Sequence, residues 1–183
     1  MNLRIIAPPA SEPVTLQEAL DQCHANVGEE DSWFMGRIMA GRIKAEERLR
    51  RALITQTWEF SFDKFPLDTV RLPRAPLQTV ISIKYYDQKN VETVADLNDF
   101  VVDTDSQPGR IVPVDRWPDT ELRKLNSVKI QYVAGYGATG ADVPGPIKDA
   151  ILFYVSHVCN NRAGEAPLPN TFFDLLEPYR MHI

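Results

Sequence analysis

The chain is poor in the residues from which most reactive sites are built. It holds 2 cysteines and 3 histidines among 183 residues. Cys23 and Cys159 belong to no CxxC pair, so neither a zinc site nor a dithiol redox motif can be written from them. Cys23-His24 is half a ligand set at most, because His157 and His182 stand at no ligand-like spacing from it. A disulfide scaffold is excluded, and free thiols suit a reducing compartment. Long apolar runs are also missing: none approaches the roughly 18 residues of a membrane span, and Pro8 and Pro9 break the N-terminal stretch before a signal-peptide core forms. The expectation is a soluble, unexported chain with no membrane contact. Nor is there an excess of positive charge. Lys and Arg number 20 against 25 Asp and Glu, a net charge of −5, which weighs against a sequence-specific DNA-binding domain. G-x-S-x-G, H-E-x-x-H and Walker motifs are absent. No catalytic residue, cofactor or metal is therefore assigned, and an enzyme is not expected.

What is present suffices for a core without staples, since 44% of the residues are hydrophobic and a chain this long buries about 70% of its unfolded surface. Thr15-Leu16-Gln17-Glu18 has capping-box spacing, which predicts a helix over 16–25. From Ser32 the residues Phe34, Ile38, Gly41, Ala45, Leu49 and Ala52 recur every three or four positions, predicting a long helix to about Leu53. The period then falls to two at Trp58, Phe60 and Phe62. Strands are predicted over 57–63, 70–72, 79–86, 91–94, 100–103, 110–112 and 127–134, linked by turns with no helix between them, as in an antiparallel meander. Pro144-Gly145-Pro146 restarts a helix with the stripe Ile147, Ala150, Ile151, Tyr154, Val155 and Val158. A short helix at 171–176 ends before Pro178. The fold class is α+β: an α-helical body of N-terminal helices (14–54) and C-terminal helices (144–183) with a β module (55–143) inserted.

Charge is unevenly spread. Residues 1–31 carry one base against six acids, including Glu29, Glu30 and Asp31 before the long helix. Residues 32–58 carry Arg37, Arg42, Lys44, Arg48, Arg50 and Arg51 against two acids. Neighbouring segments of opposite sign are usable in a head-to-tail subunit contact; internal Glu–Arg pairs on a solvated helix are the plainer account. A non-specific nucleic-acid-binding module using the same basic residues is the alternative function. The C-terminal residues Phe172, Phe173, Leu175, Leu176, Tyr179 and Arg180 either pack on the chain's own body, which composition favours, or anchor a partner.

Two strings resemble ligand loops. Gly135-Tyr136-Gly137-Ala138-Thr139-Gly140 matches G-x-G-x-x-G, but Pro144 and Pro146 delay the helix that a dinucleotide loop must open. It reads as a flexible glycine exit from an edge strand. Asp103 to Gly109 resembles the start of a calcium loop, but Val114 stands where the bidentate acid belongs. It reads as a hairpin turn. His157, within a helical apolar stripe, reads as a packed structural residue.

Across most of its length the chain resembles the head-tail connector, or adaptor, family of long-tailed bacteriophages, prophages and gene transfer agents. The resemblance is carried by Glu12-Pro13-Val14-Thr15-Leu16, by Arg51-Ala52-Leu53-Ile54-Thr55-Gln56-Thr57-Trp58, by Leu72-Pro73-Arg74-Ala75-Pro76, and by Val80-Ile81-Ser82-Ile83-Lys84-Tyr85-Tyr86-Asp87. Asp99-Phe100-Val101-Val102-Asp103, Pro108-Gly109-Arg110-Ile111, Val133-Ala134-Gly135-Tyr136-Gly137 and Leu175-Leu176-Glu177-Pro178-Tyr179-Arg180 continue it in order. The long helix departs from the family pattern at Glu47-Arg48-Leu49-Arg50-Arg51. The resemblance implies a structural protein of the virion neck, present in the host cytoplasm before assembly. It implies a dodecameric ring on the portal protein after DNA packaging, which extends the DNA channel and offers a platform to the next head-completion (stopper) or tail-joining protein. Double-stranded DNA would pass without sequence-specific contact, and the C-terminal region would help engage the portal.

Overall fold

The computed structural model describes residues 2–28, 30–162, 164 and 166–181. The chain is an α+β protein whose described residues divide into two compact units: a β unit, up to Pro8 and over Thr55–Gly135, and a helical unit, Pro9–Ile54 with the chain from Tyr136 on.

The β unit contains β1 (Asn2–Ala7), β2 (Gln56–Phe62), β3 (Val70–Arg71), β4 (Leu77–Tyr86), β5 (Glu92–Val94), β6 (Phe100–Asp103), β7 (Arg110–Pro113) and β8 (Val128–Ala134). Pairing is antiparallel throughout, but the order is not that of a simple meander. One sheet runs β1-β2-β8-β4-β5 and the other β3-β7-β6. The reason lies in β8, whose Val128, Ile130, Tyr132 and Ala134 are all fully buried. A strand this apolar is most stable with a partner on each side; β2 sets Phe60 against Ile130, and β4 sets Ile83 against the same residue. The last strand in sequence thus lies at the centre of the sheet. β1 falls where the prolines suggested only a lead-in. Its Leu3, Ile5 and Ala7 alternate with Arg4 and Ile6, too short a signal beside Pro8 and Pro9 to announce a strand. Tyr132 buries its ring and donates its hydroxyl to Pro73 O at 2.6 Å, so its polar end is satisfied.

The Asp103 loop is the predicted hairpin turn, joining β6 to β7. The Asp103 carboxylate accepts the backbone N–H groups of Asp105 and Ser106, both at 3.0 Å, and two Arg110 guanidinium donors at 3.0 and 2.6 Å. The Ser106 hydrogen bonds and then Arg110 hold its pKa well below the usual carboxylate range. Its oxygens serve the turn.

The helical unit contains α1 (Leu16–Gln22), α2 (Asp31–Leu49), α3 (Gly145–Asn160) and α4 (Asn170–Leu176). The capping box at α1 is formed: Glu18 N–H donates to Thr15 Oγ1 at 3.1 Å, and Thr15 N–H donates to Glu18 Oε2 at 2.6 Å. α2 stops at Leu49, four residues before the expected end. Arg50 takes the left-handed conformation at φ 58° and its N–H closes on Glu46 O, which frees Ile54 to bridge Gly137 in parallel. Phe34, Ile38, Ala45 and Leu49 of α2, Ile147, Ala150, Ile151 and Val155 of α3, and Phe172 and Leu176 of α4 share one core. α2 meets α3 closely at Gly41, where a Cβ would sit 2.9 Å from Tyr154 Cδ1. That contact explains a glycine inside an otherwise regular helix stripe. α4 runs on into a 3-10 turn over Glu177–Tyr179 that includes Pro178, so the proline closes the α-helix without ending the helical path.

Candidate assembly surfaces

α2 organises the residues that sequence reading marked for contact. Its inner face includes two charges besides its apolar stripe. Arg42 and Glu46, one turn apart, are both buried and pair at 2.9 Å, and Arg42 also holds Glu12 through Nε at 2.7 Å and Nη2 at 3.3 Å. Burial works against the guanidinium's charge, but the carboxylates of Glu12 and Glu46 outweigh it and raise its pKa. Glu46 Oε1 accepts the Leu53 N–H at 2.9 Å, which fixes the path of the chain after the helix. Arg51 is buried too, its Nε donating to Tyr179 O at 2.5 Å.

Two of the six basic residues are therefore internal. Arg48 is half-buried, paired with Glu177 at 2.7 Å and set over the Phe173 ring at 5.5 Å. Arg37 lies 5.6 Å from the centre of the Trp33 ring. Lys44 and Arg50 are exposed and in no ion pair among the described residues. The basic run is thus not one continuous surface. The acidic segment is similarly engaged within the unit. Glu30 makes a two-point contact with Arg162 at 2.5 and 2.8 Å; the Arg162 hydrogen bond leads in lowering the Glu30 pKa. Asp31 accepts the Gly28 N–H at 3.0 Å, and Glu18 meets Lys148 at 2.9 Å. Glu29 lies outside the described residues. Sequence reading missed these partners because Glu12, Lys148 and Arg162 come from segments far from α2 in the chain.

The C-terminal segment is packed on its own unit. Phe172 and Leu176 are fully buried, and Phe172 meets Tyr154 at 6.2 Å and Phe173 at 5.3 Å between ring centres. Met181 N–H donates to Leu49 O at 3.0 Å, satisfying a carbonyl left open by the end of α2. Phe173, Leu175, Tyr179 and Arg180 are half-buried, and Arg180 meets Glu177 at 3.3 Å. The outward side of α2 instead shows Met35, Met39 and Ile43, each between 44% and 49% exposed. Their spacing of four was the legible sign of an apolar strip.

The motifs set aside as ligand loops are built into the scaffold. Gly135-x-Gly137-x-x-Gly140 leaves a central strand, not an edge strand, because β8 has a partner on both sides. Its last glycine opens a 3-10 turn at Gly140–Asp142, where a Cβ would lie 2.2 Å from Pro13 O; chain packing, not a phosphate, needs that glycine. His157 is half-buried, with Nε2 3.2 Å from Ala166 O. Cys23 and Cys159, remote in sequence, pack against the same core. Burial, then Cys159, pushes the Cys23 thiol up to about 11, so it is protonated at neutral pH and a poor nucleophile or ligand. Among the described residues no three His, Cys, Asp or Glu side chains group to hold a metal, and no helix is long and apolar enough to cross a membrane.

No protein-family model and no curated protein matches the chain. Solved structures do. A chain of the virion of a native gene transfer agent particle superposes with a TM-score of 0.84 at 22% identity, over 100% of this chain and 97% of that one. A chain from the neck of an empty gene transfer agent particle, computed with C6 symmetry, gives 0.86, and one from the neck of a native particle, computed with C12 symmetry, gives 0.83. Both are again 22% identical over 100% of this chain and 97% of theirs. The fold is therefore shared from end to end with chains of gene transfer agent particles.

Proposed function

We propose that the chain is a structural head-tail adaptor of the particle neck, with no catalytic step. In this reading residues 1–183 act as one adaptor domain that assembles as a ring on the portal after DNA packaging, lengthens the channel and seats the next neck protein. The observation that carries it is the end-to-end fold match to neck chains, one of them from a reconstruction with twelve-fold symmetry. Identical subunits around an axis meet through two different patches. The exposed strip Met35, Met39 and Ile43 and the neighbouring cations Lys44 and Arg50 supply surface for one of them. Engagement of most charges of α2 within the helical unit also suits a wall past which DNA slides, since each phosphate neutralised would retard it.

The test is to mix the purified chain with purified portal rings and, separately, with duplex DNA at near-physiological salt. The expected result is co-migration with the portal and rings visible by negative-stain electron microscopy, with no saturable DNA binding. DNA binding that falls steeply with salt, without portal binding, would instead establish the nucleic-acid-binding module.

A further inference from the structure

The smaller sheet of the β unit ends in β3, a strand of 2 residues that pairs with β7 alone. Val70 stands opposite Ile111, and the Leu72 N–H donates to Gly109 O at 2.8 Å, so these residues direct their main-chain groups toward β7. Groups alternate along an antiparallel ladder, which turns those of Thr69 and Arg71 toward the open edge. Against this segment lies a cleft of about 370 Å³, within the range of sites that seat a ligand group. Pro66, Pro73 and Pro108 line it together with the buried side chains of Phe60, Phe62, Val70 and Leu72, and Lys64 and Arg71 stand at its rim. Both cations are exposed, and neither is in an ion pair among the described residues.

Each feature asks for a different part of one ligand. The wall takes an apolar side chain, the unpaired cations take carboxylates, and the strand edge takes an extended main chain. We propose that this cleft binds an extended acidic-apolar segment of another protein, with an aliphatic or aromatic side chain against Pro66, Pro73 and Pro108 and flanking carboxylates at Lys64 and Arg71. Because β3 is short, its edge sets register, while the cleft and the charges supply affinity and choice of partner. A fatty acid would satisfy the wall and the cations but leave the edge unused, so the peptide is the better fit. The chain's own aromatic C-terminal segment is not the occupant, since Phe172 and Leu176 are buried in the helical unit. That the partner is the next neck protein rests on the adaptor reading; the chemistry of the cleft does not.

The experiment is a titration of the purified, isotope-labelled chain, followed by amide NMR shifts. The probe is an acetylated, amidated pentapeptide of sequence threonine-leucine-aspartate-leucine-glutamate. Expected are saturable shifts confined to residues 60–73 and the neighbours of Pro108, and a loss of affinity of about tenfold or more when Lys64→Glu and Arg71→Glu are combined. A control peptide with lysine in place of both acids should not bind. No shifts at millimolar peptide, unchanged affinity in the charge-reversed variant, or binding of dodecanoate but not of the peptide would overturn the proposal. Failure here leaves portal binding untouched, and a chain that failed to bind the portal would still bind this peptide, so the two readings fall separately.

Discussion

Arg42→Ala is expected to lower the stability of the helical unit by about 3–5 kcal/mol, the usual consequence of removing one partner from a buried charge pair. The side chains of Arg42 and Glu46 are each only 8% exposed and that of Glu12 16%, so the two carboxylates would lose their cation where water can replace it poorly. A loss of this size is a large part of the roughly 5–15 kcal/mol that holds a typical domain folded. The local damage is predictable too. Glu46 positions the Leu53 N–H, so loss of its bond to Arg42 would loosen the exit from α2. Arg42→Lys should recover part of the loss, keeping the charge but not the two-point contact with Glu12. Urea denaturation of the three proteins reads this directly. A loss below about 1 kcal/mol for alanine would mean that the trio behaves as an exposed ion pair.

The second large effect lies at the C-terminal end. Phe172→Ala should cost about 3–5 kcal/mol, the range for emptying a buried phenylalanine site, and lower the Tm by roughly 6–20 °C for a chain of this size. Phe172 is fully buried, with its ring against those of Tyr154 and Phe173. Removing residues from 171 onward should go further and unfold the helical unit, because it also removes Leu176 and the bond from Met181 N–H to Leu49 O. Far-ultraviolet circular dichroism on heating is the check. A truncated chain that keeps its helical signal and melting temperature would show this segment to be an anchor held ready for a partner.

Local signals were legible wherever a few neighbouring residues decide the outcome. The Thr15 to Glu18 box, the four-residue rhythm from Phe34 to Leu49, the alternation in β2 and β8 and the proline restart before α3 all mark elements that formed. Gly41 appeared in the helix stripe as a small residue, and the close approach of Tyr154 supplies its reason. What distant segments decide was not legible. The sheet order turns on how deeply β8 is buried, and β1 becomes a strand because β2 offers it an edge. The charges of α2 show the same limit most clearly. Six bases in one stretch suggested a surface, yet Arg42 and Arg51 turn inward to Glu12, Glu46 and Tyr179. Net charge along a segment says nothing of where the partners of each charge will lie. The cleft beside β3 was invisible for a similar reason, since Phe60 and Val70 belong to different sheets.

A place in the particle neck, as proposed, fixes the copy number of the chain, which is read by quantitative mass spectrometry of purified particles from a producing culture, with this chain measured against the portal protein of the same particles. The adaptor reading predicts one copy of the chain for each portal subunit. Complete, tailed particles that contain the portal but not this chain would contradict it.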